Sequence, residues 1–339
     1  MSLIKYYVKY QLTTKTVIIT TMNIYEAIKN FGKQLEYQPE VINGDKLGKF
    51  ERFIFVGMGG SALAPDLLKV SNPELDILIH RDYGLPNLPD KVLQNSLIIL
   101  NSYSGNTEEV LDAFKLALSK NLPMAAISIG GKLLELARQN SISYVEMPDW
   151  ELEPRLALGL NLKALLKILG KDKELDMISK VQLPDQEKMG KELAKNLRGF
   201  VPVIYSSRKN GPLAYAWKVK INETSKKPSF ANVFPELNHN EMAGFHHSEV
   251  SKLLSQNFHF IFLKDPADNP KILKRMEVTG KLFQNQKLNV ETIELAGDDV
   301  FTKIFSSLQL ADWVSYYIAK EYGIDPADIS TIEEFKRLI

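Results

Sequence analysis

The chain has 339 residues, of which 42 are basic, 41 are acidic and none is cysteine. This length exceeds a typical single core of about 100 to 200 residues and therefore predicts two domains. A formal charge of +1 argues against nucleic acid as a partner, because binding to the phosphate backbone needs a basic surplus. The lack of cysteine excludes disulfides, thiolate metal sites and a cysteine nucleophile, and it fits a reducing cytoplasm.

Residues 1–22 are treated as an N-terminal extension. They alternate apolar and polar residues, as a strand does, and Lys5, Lys9 and Lys15 interrupt them. They therefore lack the continuous apolar run of a signal peptide, and no stretch of the chain reaches the roughly 18 to 20 apolar residues of a membrane span. We expect a cytoplasmic protein without a membrane partner. The sequence leaves open whether the extension is an edge strand or a peripheral addition.

The next part of the chain alternates short apolar runs with helical patterns. The runs are "FIFVG", "DILIH", "SLIIL", "MAAISI" and "YVEM", and helical periodicity appears around 61–70, 107–120 and 131–140. Short apolar strands separated by helices indicate a parallel sheet covered on both faces. We therefore predict a doubly wound domain over residues 23–160.

A helical connection and a second strand series follow. Residues 161–198 carry only helical patterning, and "VPVIYSS", "FHFIFLKD" and "VETIEL" are then each followed by a helical segment. The predicted second domain, residues 199–339, ends in the short helix "ISTIEEFKRLI". The predicted fold class is α/β, with two doubly wound, flavodoxin-like parallel sheets and helical connections.

The loop after the first predicted strand is rich in glycine. In "FVGMGGSA", Gly57, Gly59 and Ala62 match the dinucleotide pattern G-x-G-x-x-G/A,. The acid expected about 20 residues later is matched only approximately, by Asp82. An NAD-dependent dehydrogenase and a tight turn with no ligand are both compatible with this loop.

The segment "NSYSGNTEE", residues 101–109, is rich in hydrogen-bond donors and carries no positive charge. An ordinary helix cap at Asn106 or Thr107 would explain the threonine and the two glutamates that follow. It would not explain Ser102 and Ser104. Hydroxyls combined with backbone amides at a helix N-terminus can bind a phosphate without a lysine.

Two loop motifs resemble the sugar isomerase (SIS) domain, which binds phosphosugars through such hydroxyls: "GMGGS" and "SYSGNTEE". Further motifs, "EPRLALG", "KINETSKKPSFANVFPELNHNEMAGF" and the terminal "EEFKRLI", resemble the bifunctional phosphoglucose/phosphomannose isomerase family of archaea and bacteria. The resemblance runs from about residue 23 to the C-terminus. It implies two SIS domains, a hexose 6-phosphate substrate, a homodimer, and sites at the junction of domains and subunits.

The resemblance also implies the site residues. Those that contact the substrate phosphate are Gly60, Ser61, Ser102, Ser104 and Thr107. The catalytic residues are Arg155, Glu223, His239 and Lys336.

These residue types suit the isomerisation of an aldose phosphate to a ketose phosphate. The reaction moves a proton between C2 and C1 through a cis-enediol(ate), which requires one carboxylate base, here Glu223. His239 and Lys336 would open the sugar ring, and the Arg155 guanidinium would stabilise the developing enediolate. The scheme requires neither a metal nor a cofactor.

Each catalytic assignment has a structural alternative. Glu223 could be a solvated surface residue, His239 a turn residue and Lys336 a charge at a frayed terminus, and Arg155 could merely pair with Asp149 or Glu151. His246 and His247, with two glutamates nearby, suggest a metal site. We disfavour this interpretation, because adjacent histidines point in different directions and no third ligand has suitable spacing.

The sequence thus predicts an isomerase that interconverts glucose 6-phosphate and fructose 6-phosphate, together with mannose 6-phosphate. Two alternatives remain besides the dehydrogenase. One is a non-catalytic sugar-phosphate sensor, and the other is a phosphosugar deaminase or deglycase of the same superfamily.

Overall fold

The computed structural model describes residues 23–245 and 251–338. The predicted N-terminal extension, His246 and His247 lie outside the described residues. Two short helices open the described part, α1 (Ile24–Lys29) and α2 (Lys33–Glu36). No helix in the described ranges is long and apolar enough to cross a membrane.

The first half of the chain forms a parallel sheet of five strands. They are β1 (Arg52–Val56), β2 (Ile77–His80), β3 (Ser96–Asn101), β4 (Met124–Ser128) and β5 (Ser143–Glu146). Their order in the sheet is β2-β1-β3-β4-β5, which is the flavodoxin-like order that the sequence predicted. The order reverses between β1 and β3, so the loops that follow these two strands meet at the edge where such sheets bind ligands.

Helices cover both faces of this sheet. They are α3 (Leu63–Ser71), α4 (Asp90–Gln94), α5 (Glu108–Ser119) and α6 (Gly131–Gln139). Alternate strand residues face opposite sides: Phe53 and Phe55 belong to one core cluster, and Ile54 and Val56 belong to another with α5 and α6. Burial on both faces explains why β1, β3 and β4 are almost entirely apolar,.

Three helices lie between the two sheets. They are α7 (Leu158–Ile168), α8 (Asp172–Ser179) and α9 (Glu187–Asn196). Gly190 of α9 lies directly against Trp313, where an added Cβ would come within 2.4 Å of the Trp313 Cβ. The close approach fixes the last connecting helix against the C-terminal half.

The second half forms a parallel sheet of four strands. They are β6 (Val201–Ser207), β7 (Phe230–Phe234), β8 (Phe258–Lys264) and β9 (Asn289–Glu294). Their order, β7-β6-β8-β9, repeats that of the first four strands of the other sheet. Strands β6, β8 and β9 were predicted from the sequence. Strand β7 was not; it lies at the edge of the sheet and is less buried than its neighbour β6.

The helices of this half are α10 (Gly211–Ser225), α11 (Glu241–Gly244), α12 (Lys252–Ser255), α13 (Pro270–Asn285), α14 (Val300–Glu321) and α15 (Ser330–Leu338). The largest core cluster joins one face of each sheet through α3, α7, α10 and α14. The two halves therefore share a continuous apolar interior, which holds α10 in a fixed position relative to the loops of the first sheet.

Candidate active site

The loop after β1 packs on the backbone of residues 154–155. Residues Gly59–Ala62 form a 3-10 turn, and Gly59 has a φ of +50°, a left-handed conformation that glycine adopts at little cost. A Cβ on Gly60 would lie 2.8 Å from the main-chain N of Arg155. Glycine at position 60 is thus required by the close approach of two chain segments, whichever ligand the loop holds.

The loop after β3 is organised around Ser102. The buried Ser102 Oγ lies 2.7 Å from Thr107 Oγ1 and accepts hydrogen bonds from the main-chain N–H of Gly105 (3.0 Å) and Thr107 (3.3 Å). Gly105 has a φ of +75°, and its position leaves no room for a Cβ. Two hydroxyls and two amide groups therefore converge at the start of α5.

Thr107 occupies the N-cap position of α5, one of the two residues expected there. Its side chain, however, accepts no capping hydrogen bond from the helix, because the hydroxyl is directed to Ser102 instead. Asn106 Oδ1 accepts from the Lys132 N–H at 3.1 Å. Neither residue caps α5, so amides in its first turn remain available to an anion, which the helix dipole would also favour.

Hydrogen bonds join the two loops. The Tyr103 N–H donates to the buried Ser61 Oγ at 3.1 Å, and Asn101 Nδ2 donates to the Ser61 carbonyl at 3.1 Å. Ser104 is exposed beside them, and its Oγ accepts from the Asn106 N–H at 3.3 Å. All five residues implied as phosphate contacts therefore lie in one pair of connected loops at the switch point of the first sheet.

Arg155 connects this loop pair to the C-terminal half of the chain. Its guanidinium is buried, and it donates to Thr224 Oγ1 (2.9 Å) and to the Pro326 carbonyl (3.0 Å). It also lies within 3.5 Å of Glu153 and Glu223 carboxylate oxygens. The alternative pairing with Asp149 or Glu151 is not observed.

Glu223 lies on α10 and is the carboxylate next to Arg155. Its side chain is 27% exposed, and it lines a cavity of about 470 Å³ between the end of α10 and residues 328–332. Burial raises the pKa of Glu223, the Arg155 charge opposes this shift, and Glu153 adds to it. A carboxylate with a raised pKa, beside an open cavity, has the properties of a general base.

His239 and Lys336 are not brought to this cluster. His239 is exposed at the end of a 3-10 turn that follows β7. Lys336 lies on α15 with its side chain 61% exposed, and its Nζ is 3.2 Å from Glu333 Oε1. Among residues 23–245 and 251–338, no hydrogen bond or ion pair joins either residue to Glu223 or Arg155.

Three buried polar residues around Arg155 were not predicted from the sequence. They are Lys220, Thr224 and Asp312. Asp312 did carry a signal, because it is an acidic residue inside the apolar run "LADWVSYY" of α14, and such a residue needs a buried partner. Lys220 and Thr224 carried no signal of burial in the sequence, because lysine and threonine on a helix are commonly exposed.

No group of three or more potential metal ligands is found in the described part of the chain. The histidine pair considered above lies outside that part.

Comparison with known sequences identifies similar proteins over almost the whole chain. The family described as "Bacterial phospho-glucose isomerase C-terminal SIS domain" matches residues 186–339. The bifunctional phosphoglucose/phosphomannose isomerase of Aquifex aeolicus is 32% identical over 92% of this chain and 97% of its own length. The protein of the same name from Caldicellulosiruptor bescii is also 32% identical, over 92% of this chain and 98% of its own length.

Solved structures share the fold at lower identity. Glucosamine-6-phosphate deaminase from Thermotoga maritima superposes with a TM-score of 0.63, at 19% identity, over 89% of this chain and 94% of that one. This similarity concerns the arrangement of the two sheets alone.

Proposed function

We propose that this chain, which belongs to the family of bifunctional phosphoglucose/phosphomannose isomerases, converts both glucose 6-phosphate and mannose 6-phosphate to fructose 6-phosphate and back. The observation that carries the proposal is the direct packing of the Gly60 loop on Arg155, whose guanidinium contacts Glu223. A phosphate held by the loops would thereby be fixed relative to a carboxylate base.

The two loops would bind the phosphate. Ser102, Thr107 and the first-turn amides of α5 would supply donors, and Ser61 and the Gly60 amide would complete the site from the other loop. The helix dipole adds a favourable partial charge of about +0.5 at the N-terminus of α5. In this arrangement the phosphate anchors the non-reacting end of the sugar.

Glu223 would transfer the proton. It removes the C2 proton of the open-chain aldose phosphate while the O1 carbonyl gains a proton, which gives a cis-enediol. Return of the same proton to C1, with loss of the O2 proton, gives the ketose phosphate. Negative charge that develops on O1 and O2 would be stabilised by the buried Arg155 guanidinium, and no step requires a metal or a cofactor.

His239 and Lys336 would act in ring opening from outside the cluster seen in one chain. His239 is exposed and lies after an edge strand, so a second copy of the chain would be able to bring it to Glu223. We therefore propose a homodimer in which the site is shared between subunits. Lys336 would reach the sugar by movement of the exposed helix α15.

Replacement of Glu223 by Gln tests the proposal. Loss of the base should lower kcat by about 10² to 10⁴-fold, with the affinity for fructose 6-phosphate nearly retained. Burial raises the pKa of Glu223, so the ionised carboxylate opposes folding at neutral pH, and the neutral amide should leave the unfolding temperature unchanged or higher. The control is Glu192→Gln, at an exposed position on α9.

The same measurement separates the alternatives. The assay would follow exchange of the C2 proton with solvent, in the presence of a chelator. Turnover that survives in Glu223→Gln would exclude Glu223 as the base. A wild-type protein that binds the phosphosugar without exchange would be a sensor, and release of ammonia from an aminated hexose phosphate would indicate a deaminase.

A further inference from the structure

An ion pair lies in the interior directly behind Arg155. Lys220 of α10 and Asp312 of α14 are both fully buried, with Lys220 Nζ 2.6 Å from Asp312 Oδ1. The same Nζ donates a hydrogen bond of 2.9 Å to the main-chain carbonyl of Arg155. The pair therefore contacts the active-site arginine through its backbone, without reaching the cavity.

Helix α10 holds Arg155 at three points. Lys220, Glu223 and Thr224 are spaced i, i+3 and i+4 and so share one face of the helix. Lys220 binds the Arg155 carbonyl, Thr224 Oγ1 accepts from Nε, and Glu223 lies beside Nη1. The main chain and the guanidinium are thus fixed by the same helix that carries the proposed base.

Stability does not account for this pair. Removing two charges from water costs several kcal/mol for each ion, and apolar residues of similar volume are often as stable or more stable. Burial lowers the pKa of Lys220 and raises the pKa of Asp312, and their hydrogen bond opposes both shifts. Among residues 23–245 and 251–338, Asp312 Oδ2 has no hydrogen-bond partner, so the pair is incompletely compensated.

We propose that Lys220 and Asp312 form a positioning pair that fixes Arg155 relative to Glu223. The inference rests on the proposed function. The charged groups that act on Glu223 are Arg155 and Glu153 from the segment before α7, Lys220 from α10, and Lys226 directly after α10. Asp312 acts from α14 by orienting Lys220. Lys226 also faces Asp325 and Asp328, in the segment before α15.

The test replaces the pair by apolar residues of similar size, Lys220→Met with Asp312→Leu. Because the exchange removes both charges together, we expect an unfolding temperature at or above that of the wild type. A looser Arg155 should lower kcat by about 10- to 100-fold, with KM changed less than about threefold. Loss of the Lys220 charge should raise the pKa of Glu223, so the acid limb of kcat/KM should move to higher pH.

A matched control is the pair Lys303–Asp265, 2.7 Å apart, with Lys303 on the same helix as Asp312 but nine residues away. Lys303→Met with Asp265→Asn should leave kcat and the pH profile unchanged. Asp312→Asn is the second variant. It keeps the volume and leaves the buried Lys220 amine without its counter-ion, which favours the neutral amine,. Loss of that positive charge should shift the acid limb in the same direction by a smaller amount.

Wild-type kcat and an unshifted acid limb in the folded double variant would overturn the inference. A loss of activity that only tracks the unfolded fraction would overturn it as well. If the double variant does not fold, an unshifted acid limb of kcat/KM in Asp312→Asn would decide against the inference. Failure of the proposed function can be distinguished from failure of this inference. It would appear as a wild type without isomerase activity, or as a Glu223→Gln variant that keeps that activity.

Discussion

At the scale of single residues, the ionisation of Glu223 should set the response of the enzyme to pH. Burial raises the pKa of Glu223, and the base works only when ionised. Therefore kcat/KM should fall, as pH decreases, through a pKa above that of an ordinary glutamate. Glu153 contributes to this shift, so Glu153→Gln should move the acid limb of the kcat/KM profile to lower pH. An acid limb at the usual glutamate pKa in the wild type would contradict the assignment.

Ser102 should act in binding and not in chemistry. Ser102→Ala removes the oxygen that organises Thr107 and Gly105. Hydrogen bonds to a charged group contribute about 1.5 to 3 kcal/mol, so KM should rise by roughly tenfold or more, with kcat within about threefold of the wild type. Steady-state kinetics would show this. The control is Ser119→Ala at the other end of α5, and a fall in kcat at constant KM would refute the binding role.

The residues around Arg155 show what the sequence could not predict at this scale. The two loops follow strands that are recognisable from their apolar runs, and the hydroxyl residues of the second loop, Ser102, Ser104 and Thr107, lie close together in the sequence. The proximity of the two loops was therefore predictable. Lys220 and Asp312 are 92 residues apart, and they meet only because α10 packs on α14. No local pattern reveals such a contact, although the acid inside the apolar run of α14 required a partner of some kind.

At the scale of elements, strand β7 illustrates why burial decides what can be recognised. Strands β1, β3 and β4 are buried on both faces and read as continuous apolar runs. Strand β7, "FANVF", lies at an edge with Phe230 54% exposed. Its composition is therefore mixed, and its parallel pairing is with β6, a strand distant in the sequence.

The domain boundaries at residues 160 and 199 stay a prediction, because one hydrophobic core cluster extends across both positions.

The contact between the first loop and Arg155 should be sensitive to a single methyl group. In Gly60→Ala, the Cβ would come within 2.8 Å of Arg155 N and of the Pro154 carbonyl carbon, so the two segments must separate. Because phosphate binding and the position of Arg155 change together, we expect KM to rise and kcat to fall by about tenfold each.

The control for this prediction is Gly32→Ala, where no atom of the described residues, apart from the adjoining two, lies within 4 Å of the added Cβ. This variant should keep wild-type kinetics. Kinetics and the unfolding temperature would be measured for both proteins. Unchanged kcat in folded Gly60→Ala would show that the loop and the arginine are independent.

At the scale of the whole molecule, the two halves share a strand order but differ at their switch points. In the first half, the loops after β1 and β3 present hydroxyls and uncapped amides. In the second half, the corresponding loops carry Lys209 and Asp265, which pair with each other at 3.3 Å. The first half is thus suited to hold an anion, while the second half supplies Glu223 from α10.

The exposed position of His239 leads to a prediction about the assembly. If His239 of one subunit completes the site of the other, Glu223→Gln and His239→Asn each lower activity, and mixing the two after dissociation should restore part of it. Random reassociation makes half of the dimers mixed, each with one intact site, so about a quarter of wild-type activity should return. Mixing Glu223→Gln with Glu223→Ala should restore none, because every site then lacks the base. No recovery in the first mixture would place His239 and Glu223 of the same chain in one site, which would require the turn after β7 to move toward α10.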